Sequence, residues 1–272
     1  MVFRIFGAAF PDAASRWFER LIITPSRYTN PKDGTPPPDG NHSSVPFNRG
    51  MLSVWTWGPE NGPAVILVHG WGGKAAHLLE FVRPLAQNGF RVVAYDQPAH
   101  GLSHGTTTTL VECGEALLEI GRHLGKVHGI IAHSFGCPTA AYAIKNGLKI
   151  ERMVFLGSPA SIVELGQDIA EYIGLPRRVA EIMQERVARK AGYDWRASDT
   201  DKILEGVDIP ILAFHDRSDS EVPLHHGETL ERLLPTAKMV YTNGLGHRRI
   251  VRDPEIAGEA ARFLAVGIPD SL

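Results

Sequence analysis

Two cysteines in 272 residues, Cys113 and Cys137, are too few for a disulfide framework and do not stand in a paired metal-ligand spacing. That usage fits a reducing, cytoplasmic compartment. Long apolar runs are missing as well: the hydrophobic opening, residues 1–10, is cut off by Pro11 and Asp12, too short to cross a bilayer and without the form of a signal peptide. No integral membrane segment is expected. Nor is there an excess of one charge, since 28 Lys and Arg against 30 Asp and Glu leave a net charge of −2 with the basic residues scattered. Such a surface carries neither the basic footprint of a nucleic-acid binder nor a polybasic membrane patch, which leaves a small molecule as the expected partner. No repeat period is visible. The histidines, the His225-His226 pair included, show none of the spaced His and carboxylate sets that build a hydrolytic metal site, so no metal or other cofactor is expected.

What is present is enough apolar material, 43% of the residues, for one large core. Asp12 is a good N-cap, and Ala14, Trp17, Phe18, Leu21 and Ile22 recur at helical spacing, so a helix packing on the chain's own body is expected up to Pro25. Residues 30–46 hold seven Pro and Gly, which reads as an extended surface connector. Residues 1–48 are accordingly an N-terminal helix and connector, and 49–272 the main domain. There the hydrophobic period switches repeatedly: strands over 51–57 and 64–68, a helix over 76–88, a strand over 91–95, a helix over 110–124, then strand, turn and helix across 127–142, and a strand over 152–156. Further strands follow at 209–214 and 238–241. This alternation predicts an α/β fold, a mostly parallel sheet with helices on both faces.

The sharpest signal is His128-Gly-Ile-Ile-Ala-His-Ser134-Phe-Gly136, an apolar strand that ends at small residues and passes into helix formers. With Ala132 and Gly136 on either side of Ser134, it resembles the nucleophile elbow of the α/β-hydrolases, with Ala in place of the usual Gly at 132. His69-Gly-Trp-Gly-Gly73, after the 64–68 strand, resembles the oxyanion loop of that family, and the resemblance assigns the hole to the N–H groups of Trp71 and Phe135. Asp96-Gln-Pro-Ala-His100-Gly-Leu-Ser103 looks like a structural loop of the family, with Ala99 replacing a Gly; Asp96, His100 and Ser103 are given scaffold roles.

A serine hydroxyl needs a base to take its proton and an acid to orient that base. After the 209–214 strand, Asp219 stands three residues before Val222-Pro223, which is similar to the family's acid loop, with Asp216 as the competitor. Asn243-Gly-Leu-Gly-His247 puts a histidine on a Gly-rich loop before the last helix. The order Ser134, Asp219, His247 is that of the α/β-hydrolases.

Residues 157–208 form a long insertion with Ile162, Leu165, Ile169 and Ile173, then Val179, Ile182, Met183 and Val187, at helical spacing. In that family an insertion here covers the serine, so a helical cap is expected over 158–207. The resemblance implies a serine hydrolase that cleaves a carboxylic ester or related acyl bond of a small, mainly apolar substrate. The alternatives are carbon–carbon bond hydrolysis on the same fold and a non-enzymatic ligand-binding member.

Overall fold

A computed structural model of the chain describes residues 2–26, 37–191 and 199–266. In chain order the elements are α1 (Val2–Ala9), α2 (Pro11–Ile23), β1 (Asn41–Phe47), β2 (Gly50–Trp57), β3 (Ala64–Val68), a 3₁₀ stretch (Ala75–Phe81) leading into α3 (Val82–Gln87), β4 (Arg91–Tyr95), α4 (Leu110–Leu124) and β5 (Val127–His133). They continue with α5 (Gly136–Lys145), β6 (Arg152–Leu156), α6 (Ile162–Tyr172), α7 (Arg177–Ala191), α8 (Thr200–Ile203), β7 (Ile211–Asp216), α9 (Leu224–Leu233), β8 (Ala237–Thr242), α10 (Gly246–Arg249) and α11 (Pro254–Ala265).

The strands form one eight-stranded sheet in the order β1-β2-β4-β3-β5-β6-β7-β8. The six from β4 to β8 run parallel, and β2 alone runs against the rest, paired antiparallel with both β1 and β4. The continuous apolar run of β3 is explained by its central place: all five of its residues are buried. Ile66 and Val68 face the core shared with α4 and α5, while Val65 and Leu67 face the one shared with α3 and α11. A third cluster joins α2 to the insertion, with Ala14 and Phe18 packed among Ala170, Leu175, Val179 and Met183. Among the described residues no helix is long and apolar enough to cross a membrane.

Several elements differ from the sequence expectation. The opening apolar run is helix α1, and α2 starts with Pro11 at its first turn, so Asp12 lies inside the helix and not at its cap. Of the expected stripe, Ala14 and Phe18 are fully buried, while Trp17 and Leu21 are 42% and 44% exposed. The connector is shorter than expected. Residues 30–36 lie outside the described residues, and 41–47 are strand β1, whose Pro46 is tolerated because it sits on the sheet edge. The expected helix at 76–88 begins as a 3₁₀ stretch with a kink at Leu78. Strand β7 runs two residues later than read, and α9 was not anticipated.

Candidate active site

Ser134 sits between β5 and α5 with φ of 52°, a left-handed conformation that a residue with a Cβ adopts only under constraint. Two backbone bonds hold it there: its N–H donates to the Leu156 carbonyl at 2.9 Å, and its carbonyl accepts from Cys137 N–H at 2.9 Å. Small neighbours are obligatory. A Cβ on Gly136 would stand 2.4 Å from the Val68 carbonyl oxygen, and one on Gly70 would stand 2.9 Å from Ser134 Cβ. Ala132 adds only a methyl, which the core between β3 and β6 accepts in full burial.

The two aspartates of the acid loop have separate partners. Asp219 Oδ2 accepts from His247 Nδ1 at 2.7 Å, and its Oδ1 accepts from the N–H groups of Glu221 and Val222 at 2.9 and 2.8 Å. Burial alone would raise the Asp219 carboxyl; the hydrogen bond and charge of His247, with those two N–H groups, outweigh it and hold the pKa below the usual carboxylate value. Asp216 accepts from Ser218 N–H and Oγ, from Thr242 Oγ1 and from Leu245 N–H. It ties the acid loop to the segment that carries His247, and it does not touch that ring. Its pKa is also lowered, because those four donors overcome burial.

His247 lies in α10, a single helical turn and not an open loop. With Nδ1–H donated to Asp219, its Nε2 is left as a proton acceptor. Gly157 runs beneath the pair at φ of 57°, where a Cβ would come within 3.1 Å of His247 Nδ1 and 3.3 Å of Asp219 Oδ2. Because Ser134 N–H is bonded to the neighbouring Leu156, the backbone at 156–157 lies against both the serine and the histidine–aspartate pair. No hydrogen bond joins Ser134 Oγ to His247 among the described residues. Contacts of this kind tighten when a substrate is bound.

Sequence reasoning missed His133. Its ring lies tilted against that of His247 with centroids 4.7 Å apart, and its Nε2–H donates to the His247 carbonyl at 3.0 Å. Burial, then the His247 charge, pushes its pKa down to about 3, so it stays neutral while it braces the α10 turn. The only signal in the sequence was its place directly before the serine.

The loop after β3 is pinned from behind. His69 Nδ1–H donates to the Gly70 carbonyl, its Nε2 accepts from Gln97 N–H, and Gln97 Nε2 donates back to the His69 carbonyl. His100 Nε2 accepts from Gly72 N–H. Asp96 accepts from the N–H groups of Ala75 and Leu102, and Ser103 Oγ donates to the Asp96 carbonyl. Asp96, His100 and Ser103 therefore act on backbone. The N–H groups of Trp71 and Phe135 have no protein acceptor among the described residues. Their side chains meet edge to face at 5.1 Å. Such an arrangement can offer two N–H groups to one oxygen beside the serine.

A family model for the α/β-hydrolase fold matches residues 63–173. A serine hydrolase-like protein of Danio rerio is 41% identical over 59 residues, 22% of this chain and 18% of that protein, so the chain matches less than a fifth of the relative's length. Among solved structures, the 2-hydroxy-6-oxo-6-phenylhexa-2,4-dienoate hydrolase of Rhodococcus sp. is similar with a TM-score of 0.65 at 20% identity, over 83% of this chain and 98% of that one. Est1E of Butyrivibrio proteoclasticus, in a structure with ferulic acid bound, gives a TM-score of 0.65 at 18% identity, over 82% and 98%. At these identities the likeness is one of fold.

Proposed function

From the α/β-hydrolase fold, which a family model matches over residues 63–173 and solved hydrolases share, we propose that the chain is a serine hydrolase acting on a carboxylic ester or related acyl bond of a small, mainly apolar substrate. The observation that carries this reading is the 2.7 Å Asp219–His247 pair lying against Gly157, next to the Leu156 carbonyl that holds the strained Ser134. In this reading Ser134 Oγ attacks the carbonyl carbon as His247 Nε2 takes its proton, and the N–H groups of Trp71 and Phe135 hold the oxyanion. His247 returns the proton to the leaving alcohol, and the acyl-enzyme forms. Water then attacks the acyl carbon while His247 accepts one of its protons, and the acid leaves as that proton returns to Ser134. Asp219, ionised and fixed by two backbone N–H groups, stabilises the imidazolium in both halves.

The insertion carrying α6, α7 and α8 is proposed as the cap, with residues 192–198 outside the described residues. Ile169 and Ile173 of the expected stripe pack toward α2 and α7. Leu165 is half-buried and belongs to none of the three apolar clusters, which makes it the candidate pocket wall. A panel of chromogenic esters of rising acyl length tests the reading: hydrolysis is expected, with short to medium chains preferred over acetate. Likeness to a dienoate hydrolase supports a second reading, carbon–carbon hydrolysis on the same serine. Turnover of a vinylogous 1,5-diketone with no ester hydrolysis would favour it. A folded protein inert to both substrate types and to a fluorophosphonate would instead be a binding member of the family.

A further inference from the structure

Apart from the serine site, the insertion meets the core through a cluster of ligand-type side chains. Glu164 and Asp168 stand four residues apart on α6, hence on one face of the helix. Facing them are His225 and His226 in the first turn of α9. His225 Nε2 is 3.6 Å from Glu164 Oε1 and 3.9 Å from Asp168 Oδ2, and His226 Nε2 is 3.6 Å from the same Asp168 oxygen. Donor atoms of Glu164, His225 and His226 all lie within 4.8 Å of one another. These separations are too long for hydrogen bonds. They are close to the roughly 3.4 Å that separates two ligand atoms bound about 2.1 Å from one tetrahedral ion.

An independent observation points to a missing occupant. His226 is fully buried, yet its Nε2 has no hydrogen-bond partner, and neither has the buried Asp168 Oδ2 that it faces. Buried polar atoms are seldom left so. The roles within the cluster follow from protons. Ala160 N–H donates to His226 Nδ1 at 3.3 Å, so the His226 proton resides on Nε2 and points at Asp168. His226 therefore turns an N–H and not a lone pair toward the carboxylate and is no ligand, while His225 has its Nε2 turned toward both acids.

We propose that Glu164, Asp168 and His225 form a binding site for one divalent transition-metal ion of the zinc or manganese class, with His226 Nε2–H facing the Asp168 carboxylate from the buried side. One imidazole with two carboxylates suits such ions better than calcium or magnesium, which take oxygen ligands. Closing the 3.6 Å gap on metal binding would give the ligating Asp168 a hydrogen bond from His226, the usual outer arrangement. The ion ties α6 of the insertion to α9, which starts two residues after Val222, whose N–H holds Asp219. Its role is to fasten the insertion, and it takes no part in the chemistry at Ser134.

The test is isothermal titration of tag-free, EDTA-dialysed full-length protein with zinc chloride and manganese chloride, magnesium chloride serving as control. Binding of one equivalent with a dissociation constant in the micromolar range is expected, together with a rise in Tm and slower proteolysis within the insertion. The variant Asp168→Asn/His225→Gln, altered only at partly exposed positions, should keep the metal-free Tm and bind at least 30-fold more weakly. No saturable binding by wild type below 100 µM overturns the proposal, and so does equal affinity in the variant, which marks an adventitious ion on other surface histidines. Fluorophosphonate labelling of Ser134 is run on the same samples and should not depend on metal, so failure here is distinguishable from failure of the hydrolase reading.

Discussion

At Asp216 and Asp219, two carboxylates three residues apart do different work, and a pair of conservative variants separates them. Asp219→Asn leaves His247 without its acceptor and favours the wrong imidazole tautomer, so a loss of turnover on the order of 10⁴-fold is expected. Asp216→Asn should lower activity far less but destabilise the fold by about 2 kcal/mol, since one ionised acceptor serves four donors. The sign with pH follows from its depressed pKa: the stabilisation is complete above the unfolded value of 3.8 and is lost as pH falls below it. Urea titrations from pH 6 to pH 2 should therefore show a shallower acid limb for the Asn variant. Identical limbs would contradict the assignment. The sequence favoured Asp219 by family position alone; only the folded loop reveals that Asp216 staples it to Leu245 and Thr242. Ala99 was legible as a departure but not as a tolerated one. It adopts φ of 64°, and the strain of about 1 kcal/mol for a Cβ there is offset by roughly 0.8 kcal/mol from its buried methyl.

Among the elements, strands and helices of the sheet core were readable because their periods are clean: β4, α4 and β6 match the sequence reading residue for residue. Strand β1 was not, because Asn-His-Ser-Ser-Val-Pro-Phe has one buried residue and a proline that only an edge tolerates. The Glu164, Asp168, His225 and His226 cluster was hidden for another reason: its halves come from α6 and α9, and no local spacing connects them. The insertion's role is tested by acyl-chain profiles of wild type and Leu165→Ser. If Leu165 lines the pocket, the preferred chain length should shift, with each lost methylene contact worth roughly 0.8 kcal/mol in kcat/KM, while probe labelling at Ser134 stays intact. Superimposable profiles would make the insertion a structural hairpin. Helix α2 is a fixed part of this layer, with Phe18 fully buried against α7 and Arg186 Nη2 donating to Ser15 Oγ at 2.7 Å. Phe18→Ala is accordingly expected to cost about 3 kcal/mol in unfolding free energy.

Across the whole molecule, the site is bought with buried neutral histidines. His69, His133 and His215 all have pKa values lowered from 6.5, burial being the largest cause in each, and His133 falls to about 3. Below pH 6.5 the unfolded chain binds protons that the native state refuses, so stability falls as pH falls, by up to about 1.4 kcal/mol per pH unit for each such group. Thermal unfolding should show a Tm that drops between pH 7 and about pH 5.5, above the range where most carboxylates titrate. A flat Tm over that interval would contradict the burial argument.

The measurement that bears most directly on the central claim is intact-mass and peptide mapping after treatment with a fluorophosphonate. Wild type is expected to gain one adduct per chain, on the peptide containing Ser134, with or without EDTA. Ser134→Ala, with its Tm nearly unchanged, should gain none and lose turnover by several orders of magnitude. An adduct on another residue, labelling that persists in the alanine variant, or a folded wild type that never reacts would each contradict a nucleophilic Ser134.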